Sequence, residues 1–234
     1  MAAQKRTPKG QGGLQDLTPL VRSDVNVLIS AQAISTYGSF ITRAALPLLA
    51  IIGLGINAAE AAALAAVDLI AGAVVSQFAG VWIDRLPRKP VLIGTDLLRA
   101  LLLGTIPLAA ALFGEVTLPH LIAVSALCGM CATTFDIAER SYFAGLVNSS
   151  ALRAVLARTL GIRGAAEFFG FGSAGLLVGA FGGPAAIGID ALTYVASAVL
   201  IGFLRVAEPK LPPASARASF RRELSDGLKK TWSV

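Results

Sequence analysis

Gly80-Val81-Trp82-Ile83-Asp84-Arg85-Leu86-Pro87-Arg88-Lys89 closes one long apolar run, Ala58–Val81, and leads into another, Pro90–Phe113. Each run exceeds the roughly 20 residues that a helix rising 1.5 Å per residue needs to cross a hydrocarbon layer of about 30 Å. Working outward from this loop, four further runs stand near Val25–Pro47, Leu118–Ala138, Val155–Phe181 and Pro184–Leu204, with Gly55 and Asn57 turning the first by Leu54 at the latest. The runs are continuous and do not alternate, so they read as helices and not as barrel strands.

Composition agrees with lipid as the solvent. Of 234 residues, 55% are hydrophobic and only 15% charged. With the 24 glycines, the apolar share reaches about 65%, against about 45–50% in soluble domains. A soluble enzyme has no interior large enough for that much apolar sequence. A disordered chain would be poor in hydrophobics and rich in charge.

The formal charge of +6 would suggest nucleic acid in a soluble protein. Here the basic residues sit in short segments between apolar runs, aromatics are 7%, and no stacking platform or basic groove is spelled out, so nucleic acid is not an expected partner. Of the 20 Lys and Arg, 17 lie before the first run, between the second and third, around the fourth-to-fifth connection, or after the sixth. The connections near Gly55–Asn57, Gly114–Thr117 and Gly182–Gly183 carry none. Positive-inside bias therefore places both termini in the cytoplasm. The Ala- and Arg-rich, Lys-poor composition points to a bacterial inner membrane. Residues 1–23 read as a disordered cytoplasmic tail and 24–205 as a six-helix membrane domain. Residues 206–234 read as a cytoplasmic linker with the start of an amphipathic helix, Phe220, Leu224, Leu228 and Trp232 recurring at fours.

Three patterns look like chemistry and read better as packing. Gly170-Phe171-Gly172-Ser173-Ala174-Gly175 spells G-x-G-x-x-G, with Asp190 twenty residues on. The glycines lie inside an apolar run and not at a strand-to-helix turn; Gly175, Gly179 and Gly183 continue at fours as a small-residue face for helix packing. Cys128 and Cys131 fall within a span, where two small soft residues are expected instead of a redox pair. His120 is the only histidine, which argues against a histidine metal site. No metal and no cofactor is expected, and without a P-loop no nucleotide drives the protein.

In the quoted loop, Gly80 suits a close approach of two helix ends. Asp84, the lone acid among Arg85, Arg88 and Lys89, needs a partner. The arrangement G-x-x-x-D-R-x-x-R-K resembles the loop between helices two and three of the major facilitator superfamily. Gly38–Pro47, Phe135–Tyr142 and Asp190–Ala198 resemble the first, fourth and sixth helices of its bacterial drug and siderophore exporters. The likeness covers roughly Arg22–Val234, which corresponds to the N-terminal half of a twelve-helix transporter. One departure stands out: where that family's fifth-helix antiporter motif has Gly-Pro, this chain has Gly170-Phe171.

The resemblance implies an all-α membrane protein whose six helices form a 3+3 inverted repeat. It also implies alternating access, with a small-molecule substrate held near the midplane and proton-coupled efflux as the activity. Asp84 would be a conformational latch onto a second half, and Arg88 would pair with Asp136. The cavity wall, supplied mainly by spans one, two, four and five, would include Tyr37, Phe40, Arg43, Asp68, Phe135 and Glu167.

Charges inside spans sharpen this, since each is costly unless paired or hydrated. Arg43 and Asp68 lie at similar depths on adjacent spans and are expected to pair, with Asp68 either a structural partner or a proton-coupling acid. Arg163 and Glu167 stand four apart and can pair on one helix face. Asp96 and Arg99 read as a structural pair near the loop. The chain is thus expected to be a half-length or truncated transporter, completed by a second six-helix half or by a second copy. The competing expectation is a non-transporting membrane protein, either a remnant or a helical interaction partner.

Overall fold

A computed structural model of the chain describes residues 17–83 and 85–206. The expectations for residues 1–16, for Asp84 and for residues 207–234 lie outside the described residues. Six helices follow in order: α1 (Pro19–Leu54), α2 (Ala58–Ile83), α3 (Arg88–Phe113), α4 (Leu118–Leu146), α5 (Ser149–Phe181) and α6 (Gly183–Gly202). All six are long and apolar enough to cross a membrane.

Local signals fix the ends. The Thr18 side chain accepts the Val21 N–H, and Pro19 fills the first helical position of α1, where its missing N–H is no loss. Asn57 and Glu60 cap α2 reciprocally, each side chain accepting the other residue's backbone N–H at 2.9 and 3.0 Å. Asn148 accepts the Ala151 N–H to start α5. Among the described residues, Gly55, Gly114 and Gly182 are the glycines with positive φ, and they end α1, α3 and α5. These are the three connections free of basic residues. They turn tightly because glycine meets no Cβ penalty in that region.

Helix limits run past the apolar runs on the other side. The 36 residues of α1 span about 54 Å, well beyond a bilayer core, so the helix begins at Pro19 and not near Val25. Similarly, α4 continues to Leu146 and α5 begins at Ser149. The basic segments expected to be loops are largely helical overhang in which Arg140, Arg153 and Arg158 sit.

The main packing pairs are α1 with α6, α2 with α4, α3 with α6, α1 with α5, and α3 with α4. Exchanging α1 with α4, α2 with α5 and α3 with α6 turns this set into itself. That is the signature of two three-helix units related by an inverting pseudo-two-fold axis.

Two apolar clusters fill the interior. One contains Ile41, Leu46, Leu103, Ile106, Leu121 and Ile187; the other contains Val25, Leu28, Leu92, Phe135, Phe143 and Ile201. Polar residues interrupt the apolar interior on four of the helices. Gln32, Ser35 and Thr36 on α1, Asp96 and Arg99 on α3, Ser125 on α4 and Ser197 on α6 are all buried. Large apolar side chains such as Leu101, Leu112 and Leu192 point outward, as the lipid-facing side of a membrane bundle requires.

Close helix contacts rest on glycines other than those expected. A Cβ on Gly129 of α4 would collide with the Asp68 backbone of α2. One on Gly170 of α5 would stand 2.8 Å from the Tyr37 carbonyl and the Phe40 Cβ of α1. By contrast, Gly80, Gly175 and Gly179 have nothing within 4 Å among the described residues, and of the expected stripe only Gly183 meets a neighbour, Leu49. Gly175 and Gly179 share a face of α5 that turns away from this bundle, while Gly183 belongs to α6.

Candidate functional site

The polar belt opens into a cavity of about 320 Å³. Phe40, Arg43, Asp68, Phe135 and Glu167 line it, while Tyr37 is not in its wall and shares a hydrogen bond with Ser173 at 2.9 Å. The wall is broader than four helices: α3 adds Arg99 and Leu103, and α6 adds Asp190 and Tyr194.

Two ion pairs face the space. Arg43 and Asp68 meet at 3.7 Å, with side chains half and one-quarter exposed, and the Arg43 guanidinium stands 5.2 Å from the Phe40 ring centroid. The close approach at Gly129 brings the Asp68 segment of α2 against α4. Arg163 does not pair along its own helix with Glu167. Its Nη2 lies between the two carboxylate oxygens of Asp136 on α4, at 3.2 and 3.3 Å. The contact is bifurcated, one nitrogen shared between both oxygens, and it crosses from α5 to α4.

That choice also settles Arg88. Asp136 meets Arg163 and not Arg88, whose Nε donates to Ser141 at 3.3 Å, five residues further along α4, or about 7.5 Å. The remaining loop residues divide. Arg85 continues the turn, its N–H donating to the Trp82 carbonyl, and Lys89 reaches α6, where its Nζ donates to the Gly202 and Leu204 carbonyls at 2.8 Å each.

At the cavity wall, Arg99 is held through both of its terminal nitrogens and by two aromatic rings, while its Nε has no hydrogen-bond partner. Its Nη2 donates to Asp96 at 2.9 Å and its Nη1 to the Tyr194 hydroxyl at 3.1 Å. Its guanidinium lies 4.3 Å from the Tyr194 ring centroid and 5.1 Å from that of Phe135. Asp96 and Arg99 therefore find their partners on α6 and α4 instead of the loop. The chain of donors runs on: Ser39 gives its proton to the Ser35 carbonyl at 2.7 Å, which leaves its oxygen to accept from Tyr194 at 2.6 Å. Asp190 accepts from Thr42 at 2.6 Å.

Sequence reasoning passes over three acids that the structure buries. Asp190 and Glu139 are ionisable residues inside apolar runs, and that signal alone nominates them. Glu139 accepts from Gln32 Nε2 at 2.8 Å across the α1–α4 crossing. Asp24 accepts the backbone N–H of Arg205 and Val206 at 2.9 and 2.7 Å, and nothing in the local sequence announces that contact. Cys128 and Cys131 are free thiols; Cys128 lines the cavity and Cys131 is buried. His120 bonds Thr105 at 2.7 Å, joining α3 to α4. Among the described residues no cluster of His, Cys, Asp or Glu is arranged to hold a metal.

A solved structure of the POT family transporter PepTSo is similar to this chain at a TM-score of 0.58 and 18% sequence identity, over 81% of this chain and 39% of that one. The chain thus spans about two fifths of that transporter's length. No curated protein matches the sequence. The family model for the Major Facilitator Superfamily matches residues 28–234, and the inverted six-helix arrangement is the architecture of a transporter family and not of an enzyme. The chain belongs to the major facilitator superfamily.

Proposed function

We propose that this chain forms the first six-helix unit of a secondary transporter, with substrate held at mid-depth between it and a second unit. One observation carries the reading: a cavity of about 320 Å³ inside an otherwise apolar bundle, with two ion pairs on its wall. Charges within membrane spans are expensive in lipid. Their presence around a space large enough for a small molecule is what a membrane binding site requires and what a structural bundle has no need of.

The faces of α2 and α5 support a second six-helix half as the partner, a second copy of the chain being the other candidate. Leu69, Ile70 and Val74 on α2, and Phe168, Phe171 and Leu176 on α5, are exposed. On α5 the open Gly175 and Gly179 lie among them, so the small-residue face has room for a helix of another unit. Both termini belong on the cytoplasmic side by the distribution of basic residues, in a bacterial inner membrane. Efflux coupled to protons is the activity that the exporter-like motifs favour. Asp68 and Glu167 are the candidate proton-coupling acids at the cavity wall, and Asp84 is the candidate latch to the second unit.

Transport in membrane vesicles tests this. With a pH dye trapped inside, adding a transported drug or siderophore drives proton movement in the wild type. Asp68→Asn or Glu167→Gln then alters its pH profile. Unchanged profiles in both variants remove these acids from the proton path. Absence of any substrate flux from folded protein overturns the transport reading in favour of a non-transporting membrane protein.

A further inference from the structure

The peptide unit joining Leu204 to Arg205 is gripped from both sides. Its carbonyl oxygen accepts from Lys89 Nζ at 2.8 Å, and its N–H donates to Asp24 Oδ2 at 2.9 Å. The same carboxylate oxygen takes the Val206 N–H at 2.7 Å, and the same ammonium takes the Gly202 carbonyl at 2.8 Å. Asp24 is 1% exposed and Leu204 5%, so the carboxylate side of the contact is shielded from water, while Lys89 is half-buried.

Three elements meet here that are far apart in sequence: the start of α1, the first turn of α3, and the end of α6. The carbonyls at the end of a helix have no partner within it. Here a cation satisfies two backbone carbonyls at this end, where the helix dipole also favours positive charge. An amide with a cation on its oxygen is a stronger donor through its N–H, and one with an anion on its N–H is a stronger acceptor. The Lys89 and Asp24 contacts therefore reinforce each other through one peptide plane.

We propose that Lys89, Asp24 and the Leu204–Arg205 peptide form a conformational clasp, which holds the exit of α6 only while the first turn of α3, carrying Lys89, is docked. Movement of the start of α3 is thereby passed to the exit of α6. Lys89 is a positioning residue in this device, acting on the Arg205 and Val206 amides that it does not touch. The clasp itself follows from the fold; its use in a transport cycle rests on the proposed function.

Hydrogen exchange of the full chain in lipid nanodiscs, read at the Arg205 and Val206 amides, tests the coupling. In the wild type both amides are protected. Asp24→Asn speeds their exchange by removing the charged acceptor. Lys89→Met speeds it by about tenfold or more as well, since loss of a charge-assisted hydrogen bond weakens the shared unit, and Lys89→Arg restores protection. If Lys89→Met disrupts the fold, Lys89→Gln, which keeps a neutral donor, gives intermediate exchange. Unchanged exchange at both amides in a folded Lys89→Met or Lys89→Gln protein, with Asp24→Asn accelerated, overturns the clasp and leaves two independent contacts. Coupled exchange in a protein that moves no substrate upholds the clasp and overturns only the transport reading.

Discussion

Removing Arg99 should harm the protein more than removing its partner Asp96, and the asymmetry follows from what each leaves behind. The pair is closed to solvent, with side chains 7% and 0% exposed and 2.9 Å between them. Arg99→Met strands a buried carboxylate with Ser197 of α6 beside it. Breaking a buried pair in this way costs about 3–5 kcal/mol. Asp96→Asn strands a cation, but that cation keeps the Tyr194 hydroxyl at 3.1 Å and the faces of two rings. A desolvated cation–π contact contributes about 2 kcal/mol. Arg99→Met should therefore be the more destabilising change by about 2 kcal/mol, or about thirtyfold in the folding equilibrium.

Reversible unfolding by SDS in mixed micelles measures the difference. The double variant Asp96→Asn/Arg99→Met should be more stable than Arg99→Met alone, because no uncompensated charge remains. An Asp96→Asn protein as unstable as Arg99→Met, or a double variant less stable than Arg99→Met, would refute the claim that the aromatic faces hold this guanidinium.

Other expectations concern packing and access. Gly129→Val forces a side chain into the Asp68 backbone and should cost about 1–3 kcal/mol, with the Arg43–Asp68 pair displaced, read as lost thermal stability in detergent. Gly175→Leu and Gly179→Leu meet open space and should leave that stability unchanged, while impairing transport if a second unit seats on α5. Small methanethiosulfonate reagents should label Cys128 from the cavity and spare the buried Cys131. Labelling that survives in Cys128→Ser would show that the reagent reaches elsewhere.

The number of helices, the three tight glycine turns and the Arg43–Asp68 pair were legible because each depends on one coordinate: position along the membrane normal. A run of apolar residues, a glycine between runs and the depth of a charge are all read along a single line. What each helix turns toward its neighbours was not legible. Lipid and the protein interior are both apolar, so the face meeting α1 and the face meeting a fatty acyl chain carry the same residues. Gly170 and Gly175 both belong to a helix studded with glycines, yet only the first touches α1. The same ambiguity sent Arg163 to Glu167 by spacing, when rotation of α5 aims it at Asp136. Lys89 was legible as a member of a loop motif, but its destination at the end of α6 depended on how α3 and α6 cross.

The two ends of the bundle are held by different means, and this has a measurable consequence. At one end, Gly55, Gly114 and Gly182 close the connections with backbone hydrogen bonds to the preceding turn, contacts that travel with the helices they end. At the other end, where the basic residues gather, side chains pin elements distant in sequence: Arg88 to Ser141, Arg158 to Asn26 at 2.6 Å, and Lys89 with Asp24 on the α6 exit. A rigid-body movement can leave the glycine turns intact, whereas each side-chain pin must be kept or broken as the helices shift. Arg88 and Arg158 pin different helix pairs, α3 to α4 and α5 to α1, so their losses should add within about 0.5 kcal/mol. Lys89 and Asp24 act on one peptide plane, so Lys89→Met combined with Asp24→Asn should cost less than the sum of the two, by about 0.5–3 kcal/mol. The two double-mutant cycles, measured by unfolding under one set of conditions, separate the cases. Additivity in both would mean that the side-chain pins are a row of independent contacts and that the shared peptide couples nothing.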